Sequence, residues 1–512
     1  MGLITILGVA AIVLAAVVAV YLETGGADIG DTTNTAMPLD PARGLLRVHP
    51  SNPRYFTDGS GKAIYLTGSH TWNNLQEKTD SNPPDRGPFD YAAYLDFLKN
   101  HNHNFMRMWV WEQAAWVPWT TDKVLVDPLP YLRTGPGAAL DGRPKFDLSQ
   151  FNPAYFDRLR SRVIAARDRG IYVAVMLFQG WSIGKKSNFP GNSWIGHPFH
   201  KDNNINGIDG DLNGNGQGEE IHTLQVPAVT ALQEAYVRMV VDTLNDLDNV
   251  LWEISNESHG RSTDWQYHMS NYIKTYEASK SKQHPVGMTV EWPGGSNCEL
   301  FASPADWISP NSDGGYMHDP PNAEGNKVII ADTDHFGDLG DDRAWVWKSF
   351  LRGLNPIYMD PLNSDAAREA ARKAMGYTLS YAKRINLVAM APHSDLASTG
   401  YCLANPGAEY LIYLPTTGII RGRGIRALRW FSPLSGNRVL RWFSQLSGLN
   451  ARVTVDLSAA SGTLLTVEWF NPTTGKIQAA GTTVGGSSED FTAPFTGDAA
   501  LYLAGSKTAS HL

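Results

Sequence analysis

The stretch VLWEISNES, residues 250–258, decides how the whole chain is interpreted. It opens on apolar side chains, as a buried strand does, yet it finishes on Asn256 and Glu257. Neither an amide nor an acid contributes to an apolar core, and both are costly to bury without partners. The sequence on either side explains why a buried strand ends in this way.

Strand-like and helix-like runs alternate through residues 46–397. Such alternation favours an α/β protein with a parallel sheet covered by helices. Eight strands favour a closed (β/α)8 TIM barrel, and the runs that predict them are AIYLTGSHTW, NFMRMWVWE, IYVAVMLFQGW, VLWEISNES, PVGMTVEW, DWISPNSD, KVIIADTDHF and NPIYMDP. The helix between the fifth and sixth strands is predicted to be short or missing. A doubly wound open sheet is the alternative, although no GxGxxG follows the first strand.

The pattern changes at residues 398–505, where short runs such as EYLIYLP, RVTVDLS and AALYLAG alternate apolar and polar residues. Gly, Pro, Asn and Thr turns separate them, which predicts a small antiparallel β-sandwich domain. Inside it, LRWFSPLSG at 428–436 recurs as LRWFSQLSG at 440–448. We interpret this duplicated insert, residues 419–448, as a loop insertion. An aromatic, Arg-rich contact surface is the alternative.

The N-terminus carries a long apolar run without charge, at residues 3–22. Its length is close to that of a bilayer-spanning helix. We expect a secretory signal peptide at 1–27, cleaved after Ala27, and a polar linker at 28–45. Because no Lys or Arg precedes the run, an uncleaved helix for membrane anchoring or self-assembly through residues 3–22 stays open. Both interpretations predict an extracellular or cell-surface protein.

Charge and composition exclude one class of partner. The chain carries 43 Lys and Arg against 51 Asp and Glu, a net charge of -8, without long runs of one sign. A nucleic-acid partner needs a basic face, so none is expected. The chain also has 16 Trp residues, several near the ends of predicted strands. Trp is often part of the core, but indole faces are also good platforms for sugar rings.

The barrel hypothesis answers the opening question, because the active sites of such barrels lie at the carboxyl ends of the strands. Acids, amides, indoles and imidazoles cluster at the predicted strand ends. From them we predict these substrate-binding residues: His70, Trp72, Arg107, Trp111, Trp181, Asn256, Glu291, Trp292, Asp313 and His335.

Carboxylates that face one another across a Trp-lined pocket suit glycoside cleavage. One carboxyl must protonate the leaving oxygen, so its pKa must be raised, and we predict Glu257 for this role. Asp332, which ends VIIAD, is predicted as the second catalytic carboxylate, and Asp334 is its rival two residues further on. We expect Asn256 to bond the sugar 2-hydroxyl and Arg107 to keep the second carboxylate ionised.

These motifs resemble a known clan of enzymes. WEISNES on a fourth strand, with Arg on the second and an acid ending the seventh, resembles the retaining (β/α)8 glycoside hydrolases that include family 5 cellulases. The resemblance implies Asn256-Glu257 as the acid/base pair and the acid ending the seventh strand as the nucleophile. This chain has Asp where the clan has Glu, which leaves retention or inversion open.

A closer resemblance covers residues 46–505 apart from the duplicated insert. NPRYFTDGSGKAIYLTGSHTWNNLQE and VIIADTDHF resemble the bacterial apiosidase-like or cellulase-like barrels. In that group a β-sandwich labelled collagen-binding follows the barrel, and GYCLANPGAEYLIYLP and GTLLTVEWFNPTTGK resemble it. No feature of the residues themselves points to collagen.

The segment DGDLNGNGQGEE, residues 209–220, fits the calcium-loop pattern D-x-[DN]-x-[DN]-G-x5-E at every position. We therefore predict a structural Ca²⁺, with no cofactor required for the chemistry. The predicted ligands are Asp209, Asp211, Asn213, Asn215 (through its backbone carbonyl) and Glu220. The flanks do not predict the usual pair of helices, so a Gly/Asn-rich lid that contacts sugar directly is the alternative.

The sequence leaves two functional hypotheses, one an enzyme and the other a structural protein. The first is an exported glycoside hydrolase that cleaves O-glycosidic bonds of a polysaccharide by a two-carboxylate mechanism, with retention favoured. The second is a cell-surface or filament-forming structural protein whose barrel binds glycans or is catalytically inactive.

Overall fold

The computed structural model describes residues 42, 44–80, 88–186, 188–336, 342–416 and 450–505. The predicted N-terminal segment at 1–27 and the duplicated insert at 419–448 lie outside these residues. Within the described ranges, no helix combines the length and the apolar character that a membrane crossing requires.

Eight parallel strands form the larger sheet. They are β1 (Gly68–His70), β2 (Phe105–Met108), β3 (Tyr172–Gln179), β4 (Val250–Asn256), β5 (Val286–Thr289), β6 (Trp307–Ser309), β7 (Val328–Asp332) and β8 (Asn355–Met359). From β2 to β8 each strand pairs with the next, and β8 pairs with β1. The amide of Asn104 donates to the carbonyl of Thr67 at 3.1 Å, which brings β2 beside β1 and nearly closes the sheet. The predicted (β/α)8 barrel is confirmed.

Helices cover the outside of this barrel. They are α1 (Tyr91–Asn100), α2 (Pro153–Arg167), α3 (Pro227–Leu244), α4 (Thr263–Glu277), α5 (Asn297–Ala302), α6 (Asp342–Leu351) and α7 (Ala366–Arg384). Local sequence fixes their starts: Asp90 and Asn152 cap α1 and α2, and Pro153 occupies the first turn of α2. Helix α5, between β5 and β6, has only 6 residues, in line with the prediction that it is short.

Two hairpins after β2 were not predicted from the sequence. The strand Ala115–Val117 pairs with Thr120–Asp127, and Tyr131–Ala138 pairs with Pro144–Phe151. The long excursion between β3 and α3 packs on the first hairpin, because a Cβ at Gly196 would come within 2.1 Å of the Ala115 carbonyl oxygen. The hairpins follow the carboxyl end of β2, and the excursion follows the carboxyl end of β3. These insertions therefore extend the carboxyl end of the barrel.

The C-terminal part is antiparallel. Its strands are β9 (Ala391–Pro392), β10 (Cys402–Asn405), β11 (Glu409–Leu414), β12 (Asn450–Asp456), β13 (Leu464–Phe470), β14 (Ile477–Val484), β15 (Ser488–Thr496) and β16 (Ala499–Gly505). Six of them form one sheet in the order β9-β10-β11-β16-β13-β14, and β12 pairs with β15 in a second. The inner faces share one apolar core, so the predicted β domain is confirmed. Its first strand begins at Ala391, before the predicted boundary at 398.

The β domain packs against the helices on the outside of the barrel. Trp347 of α6 stacks on Tyr413 of β11 with ring centroids 5.7 Å apart. Arg343, also on α6, is paired with the buried Asp498 at 2.9 Å. Buried aromatic stacking and a paired charge at this contact join the two parts into one body.

Candidate active site

The buried Arg107 joins side chains from several strands at the carboxyl end of the barrel. Arg107 lies on β2 and is 1% exposed. Its Nε and Nη2 donate to both oxygens of Glu253, and Nη2 also donates to Asn256 Oδ1 at 2.7 Å. Nη1 donates to Asp332 Oδ2 at 2.7 Å and to Asp334 Oδ2 at 3.2 Å. All five N–H groups of the guanidinium are therefore engaged.

Asp332 ends β7 and is fully buried. Trp109 Nε1 donates to His70 Nδ1 at 2.7 Å, so Nε2 of His70 carries the proton and donates to Asp332 Oδ1 at 3.0 Å. The backbone amide of Asp334 donates to the same oxygen at 3.0 Å. Burial alone would raise the pKa of Asp332, but His70 and Arg107 outweigh it and hold this pKa well below its usual range.

Asp334 follows in a one-turn helix, Thr333–His335, and its carboxylate is 9% exposed. Burial and the adjacent charge of Asp332 raise the pKa of Asp334 to about 6. His335 lies beside it, with Nε2 3.7 Å from Asp334 Oδ2 and Nδ1 3.1 Å from Ser309 Oγ. Burial lowers the pKa of His335 to about 3, so the imidazole next to Asp334 is neutral.

Glu257 comes directly after β4 and has an unusual backbone, with φ at 46°. Its side chain accepts a hydrogen bond from the indole N–H of Trp181, and its backbone carbonyl accepts one from Lys186 Nζ at 3.3 Å. Burial and the charge of Asp334 raise the pKa of Glu257 to about 8. Glu257 therefore keeps its proton to higher pH than Asp334 does.

Two half-buried indoles flank this acid. Trp181 and Trp292 stack with centroids 5.4 Å apart and ring planes 4° from parallel. Lys186 Nζ lies 5.8 Å from the centroid of Trp292. Stacked indoles next to an acid offer a flat apolar face of the kind that sugar rings bind.

The structure does not bring every predicted site residue to the Arg107 network. The carboxylate of Glu291 is bound by Thr263 Oγ1 at 2.8 Å, at the start of α4. Asp313 is exposed in a one-turn helix after β6. Trp111 is buried and donates its N–H to the backbone of Trp72. Glu291 and Asp313 therefore lie apart from this network because their loops turn towards helices or solvent.

Sequence reasoning missed Glu253, Lys186 and Gly180. Glu253 stands inside an otherwise apolar strand, and an ionisable side chain in such a run requires a partner of opposite charge. Arg107, in the strand-like run NFMRMW, could have been predicted as that partner. Lys186 and Gly180 carried no such signal, because both act on the backbone of Glu257 across the fold.

Among the described residues, two groups have the chemistry to hold a metal ion. Ligand atoms of Asp332, Asp334 and His335 lie within 4.8 Å of one another. Both oxygens of Asp332 already serve His70 and Arg107, and the guanidinium occupies the place where a cation would neutralise these acids. We therefore interpret this group as a carboxylate pair held by arginine.

The predicted calcium loop, residues 209–220, is the second group. Gly214 has φ at 70°, which makes the tight turn that the pattern requires. Asp211 Oδ2 accepts from the amide of Gly216 at 2.7 Å, and Asn213 donates to one oxygen of Glu220. The other oxygens, Asp211 Oδ1 and Glu220 Oε2, are buried without a hydrogen-bond partner among the described residues.

Two families match parts of the chain. Residues 94–292, which include Arg107 and Glu257, match a domain of unknown function (DUF6298). Residues 447–501 match a family described as "Putative collagen-binding domain of a collagenase". None of the curated proteins matches this chain.

Solved structures share the fold. A glycoside hydrolase has a TM-score of 0.54 at 14% identity, over 92% of this chain and 99% of its own. A glycoside hydrolase family 5 protein from Bacteroides vulgatus ATCC 8482 has a TM-score of 0.53 at 13% identity, over 93% and 97%. Such coverage includes both the barrel and the C-terminal sheets, so this chain has the two-part fold of those glycoside hydrolases.

Proposed function

We propose that this protein is a glycoside hydrolase that cleaves O-glycosidic bonds, with Glu257 as acid/base and Asp334 as the second catalytic carboxylate. One observation carries the proposal: the carboxyl end of the barrel holds Glu257, bonded to Trp181, together with a carboxylate pair held by Arg107, and the pKa values of Glu257 and Asp334 are separated in the required sense. The pKa of Glu257 is raised to about 8 and that of Asp334 to about 6. Between these values the first is an acid and the second a carboxylate, which is the division of roles that glycoside cleavage needs.

Asp334 suits the second role better than Asp332 does. Both oxygens of Asp332 are bound, by His70, Arg107 and the amide of Asp334, and its side chain is 0% exposed. The carboxylate of Asp334 is partly exposed and accepts one long hydrogen bond, at 3.2 Å, from Arg107. Asp332 thus orients Arg107 and His70, while Asp334 keeps an oxygen for the anomeric carbon.

The proposed reaction has two steps. Glu257 donates its proton to the leaving oxygen while Asp334 attacks the anomeric carbon, which gives a covalent glycosyl ester. Glu257 then takes a proton from water, and this water releases the sugar with retained configuration. Retention is the outcome expected if the two carboxyls act on one bond from about 5–5.5 Å apart, and a wider separation would give inversion.

Sugar recognition is assigned to the residues around this pair. The Trp181–Trp292 stack offers its exposed face to a sugar ring, and the Asn256 amide lies in the network at the end of β4. Asn256 donates one N–H to Gln179 Oε1 at 3.2 Å. The second N–H of the same amide is the donor proposed for the sugar 2-hydroxyl.

The decisive experiment is a glycan-library screen with purified protein. We expect hydrolysis by the wild type and its loss in Glu257→Gln and Asp334→Asn, with Glu489→Gln of the β domain as the matched control. Early NMR spectra of the product anomer report retention or inversion. Binding without cleavage of any glycan would favour the glycan-binding surface protein instead.

Export and calcium belong to the same proposal. The apolar run at 3–22 supports an extracellular or cell-surface location, which N-terminal sequencing of the mature protein tests, since cleavage is expected after Ala27. The buried, unpaired oxygens of Asp211 and Glu220 support a structural Ca²⁺ in the calcium loop. Such a cation takes no part in the bond cleavage.

A further inference from the structure

The calcium loop contains a carboxylate that the protein alone does not satisfy. Glu220 is 4% exposed, and its Oε2 has no hydrogen-bond partner among the described residues. An unpaired buried carboxylate oxygen is costly. Glu220 is also the last position of the loop pattern, where a Glu binds Ca²⁺ through both oxygens. This buried oxygen thus points to a cation, independently of the sequence pattern.

The chain directly after Glu220 holds the segment that follows the proposed acid/base. The one-turn helix Glu219–His222 closes the loop. The Glu219 carbonyl accepts from His259 Nε2 at 2.9 Å, and the Glu219 carboxylate pairs with Arg261. His222 Nδ1 lies 2.9 Å from the Ser258 hydroxyl. Three residues that follow Glu257 are therefore attached to the end of the calcium loop.

The same loop also holds the other side of Glu257. Gln217 Oε1 accepts from the amide of Lys185 at 2.6 Å. The next residue, Lys186, donates to the backbone carbonyls of Glu257 and Trp292, at 3.3 Å and 3.4 Å. Glu257 is thereby enclosed between two segments that both bond to residues 217–222.

We propose that a Ca²⁺ ion in the loop 209–220 positions the acid/base Glu257 through the helix Glu219–His222. The backbone of Glu257, at φ 46°, is held in a conformation that L-residues seldom adopt, so it depends on such bracing. Without the cation, the acids of the loop repel one another and the bracing helix loosens. The role of Glu257 in this inference rests on the proposed hydrolase function, whereas the bracing itself does not.

Cation binding is measured first, with Tb³⁺ as the probe. Trp194 packs on the loop, since a Cβ at Gly218 would come within 2.2 Å of its ring, so indole excitation sensitises bound Tb³⁺. We expect Tb³⁺ luminescence from the wild type that Ca²⁺ displaces. Glu220→Gln and Asp211→Asn should lose it, and Asp202→Asn, an exposed acid just before the loop, should keep it.

Amide hydrogen exchange then measures the bracing. The amides of Gly260 and Ser262 donate to Pro293 and His259, at 3.0 Å and 2.9 Å, so their exchange reports the order of the segment after Glu257. We expect Ca²⁺ to slow this exchange about tenfold or more in the wild type and Asp202→Asn, and not in Glu220→Gln. His259→Ala should still bind Tb³⁺ but lose the slowing.

The outcomes separate the two proposals. If no Tb³⁺ binds, or if Tb³⁺ binds and the exchange at 257–262 does not respond to Ca²⁺, the bracing inference is overturned. If the exchange responds while no glycan is hydrolysed, the bracing stands and the hydrolase proposal fails. If both hold, chelation should lower kcat about tenfold or more while KM changes little, because the displaced group is the proton donor.

Discussion

Gly180 lies against the backbone of Glu257 so closely that a Cβ at position 180 would come within 2.0 Å of the Glu257 carbonyl oxygen. Glu257 itself adopts φ 46°, in the left-handed region. The end of β3 and the end of β4 thus meet at a point where one residue must lack a side chain. This contact fixes the position from which the Glu257 carboxyl enters the site.

The substitution Gly180→Ala tests this contact. The added methyl must push the Glu257 carbonyl away, and a displacement of about 1 Å at a catalytic group costs about a hundredfold in rate. We expect kcat to fall by that order. Gly505→Ala, where the nearest atom outside the neighbouring residues is 3.5 Å from the added Cβ, is the matched control and should leave kcat unchanged. An unchanged kcat in Gly180→Ala would contradict the tight contact.

The pH dependence of kcat/KM follows from the two carboxyls. Below pH about 6 Asp334 takes up a proton and no longer attacks, and above pH about 8 Glu257 loses the proton that it must donate. We therefore expect a bell-shaped profile with limbs near these values. A profile that keeps rising to about pH 9 would exclude Glu257 as the acid.

Trp181→Phe should move the basic limb of that profile. The indole N–H of Trp181 donates to the Glu257 carboxylate and thereby stabilises the ionised form, which lowers the pKa. Phe removes the donor, so the pKa of Glu257 rises and the basic limb shifts to higher pH. Trp116→Phe, in the strand Ala115–Val117 after β2, provides the comparison and should leave the limb in place.

The barrel was predictable because its signal is local. A buried parallel strand is an apolar run, a covering helix has its own period, and both are visible without knowledge of the partner. The hairpin strands Thr120–Asp127 and Tyr131–Ala138 were missed because charged residues and Gly-Pro-Gly interrupt them. Their pairing depends on contacts between distant residues, which a local pattern does not contain.

The candidate site was only partly predictable, for a related reason. Side chains two positions apart on a strand face the same side, and Asp332 and Asp334 both reach Arg107 although the strand ends at Asp332 and a one-turn helix begins. The carboxylate of Asp332 also bonds His70 and is fully buried, whereas that of Asp334 is partly exposed. Which carboxylate stays partly exposed depends on His70 of β1, Arg107 of β2 and Glu253 of β4. Because these residues are distant in sequence, residue order alone left the choice open.

Chemical rescue distinguishes these two acids. Asp334→Ala should lower kcat by about a thousandfold or more, because the attacking oxygen is removed. Azide should then restore turnover and give a glycosyl azide of inverted configuration, since a small anion enters the vacated space. The parallel variant Asp332→Ala should give no azide product, because its defect is in the orientation of Arg107. Rescue of Asp332→Ala alone would assign the nucleophile to Asp332.

The substitution Arg107→Lys tests the buried arginine that binds several carboxylates of the site. Lysine keeps the positive charge but offers three N–H donors in place of five, so oxygens of Glu253, Asn256, Asp332 or Asp334 lose partners at a buried position. Breaking a buried charge network costs about 3–5 kcal/mol, and we expect the free energy of unfolding in denaturant to fall by that order. Arg143→Lys, whose exposed side chain lies 3.9 Å from Asp127, is the matched control. If both variants unfold at the same denaturant concentration, Arg107 carries no more than an ordinary surface charge, and the buried network does not hold the carboxylates in place.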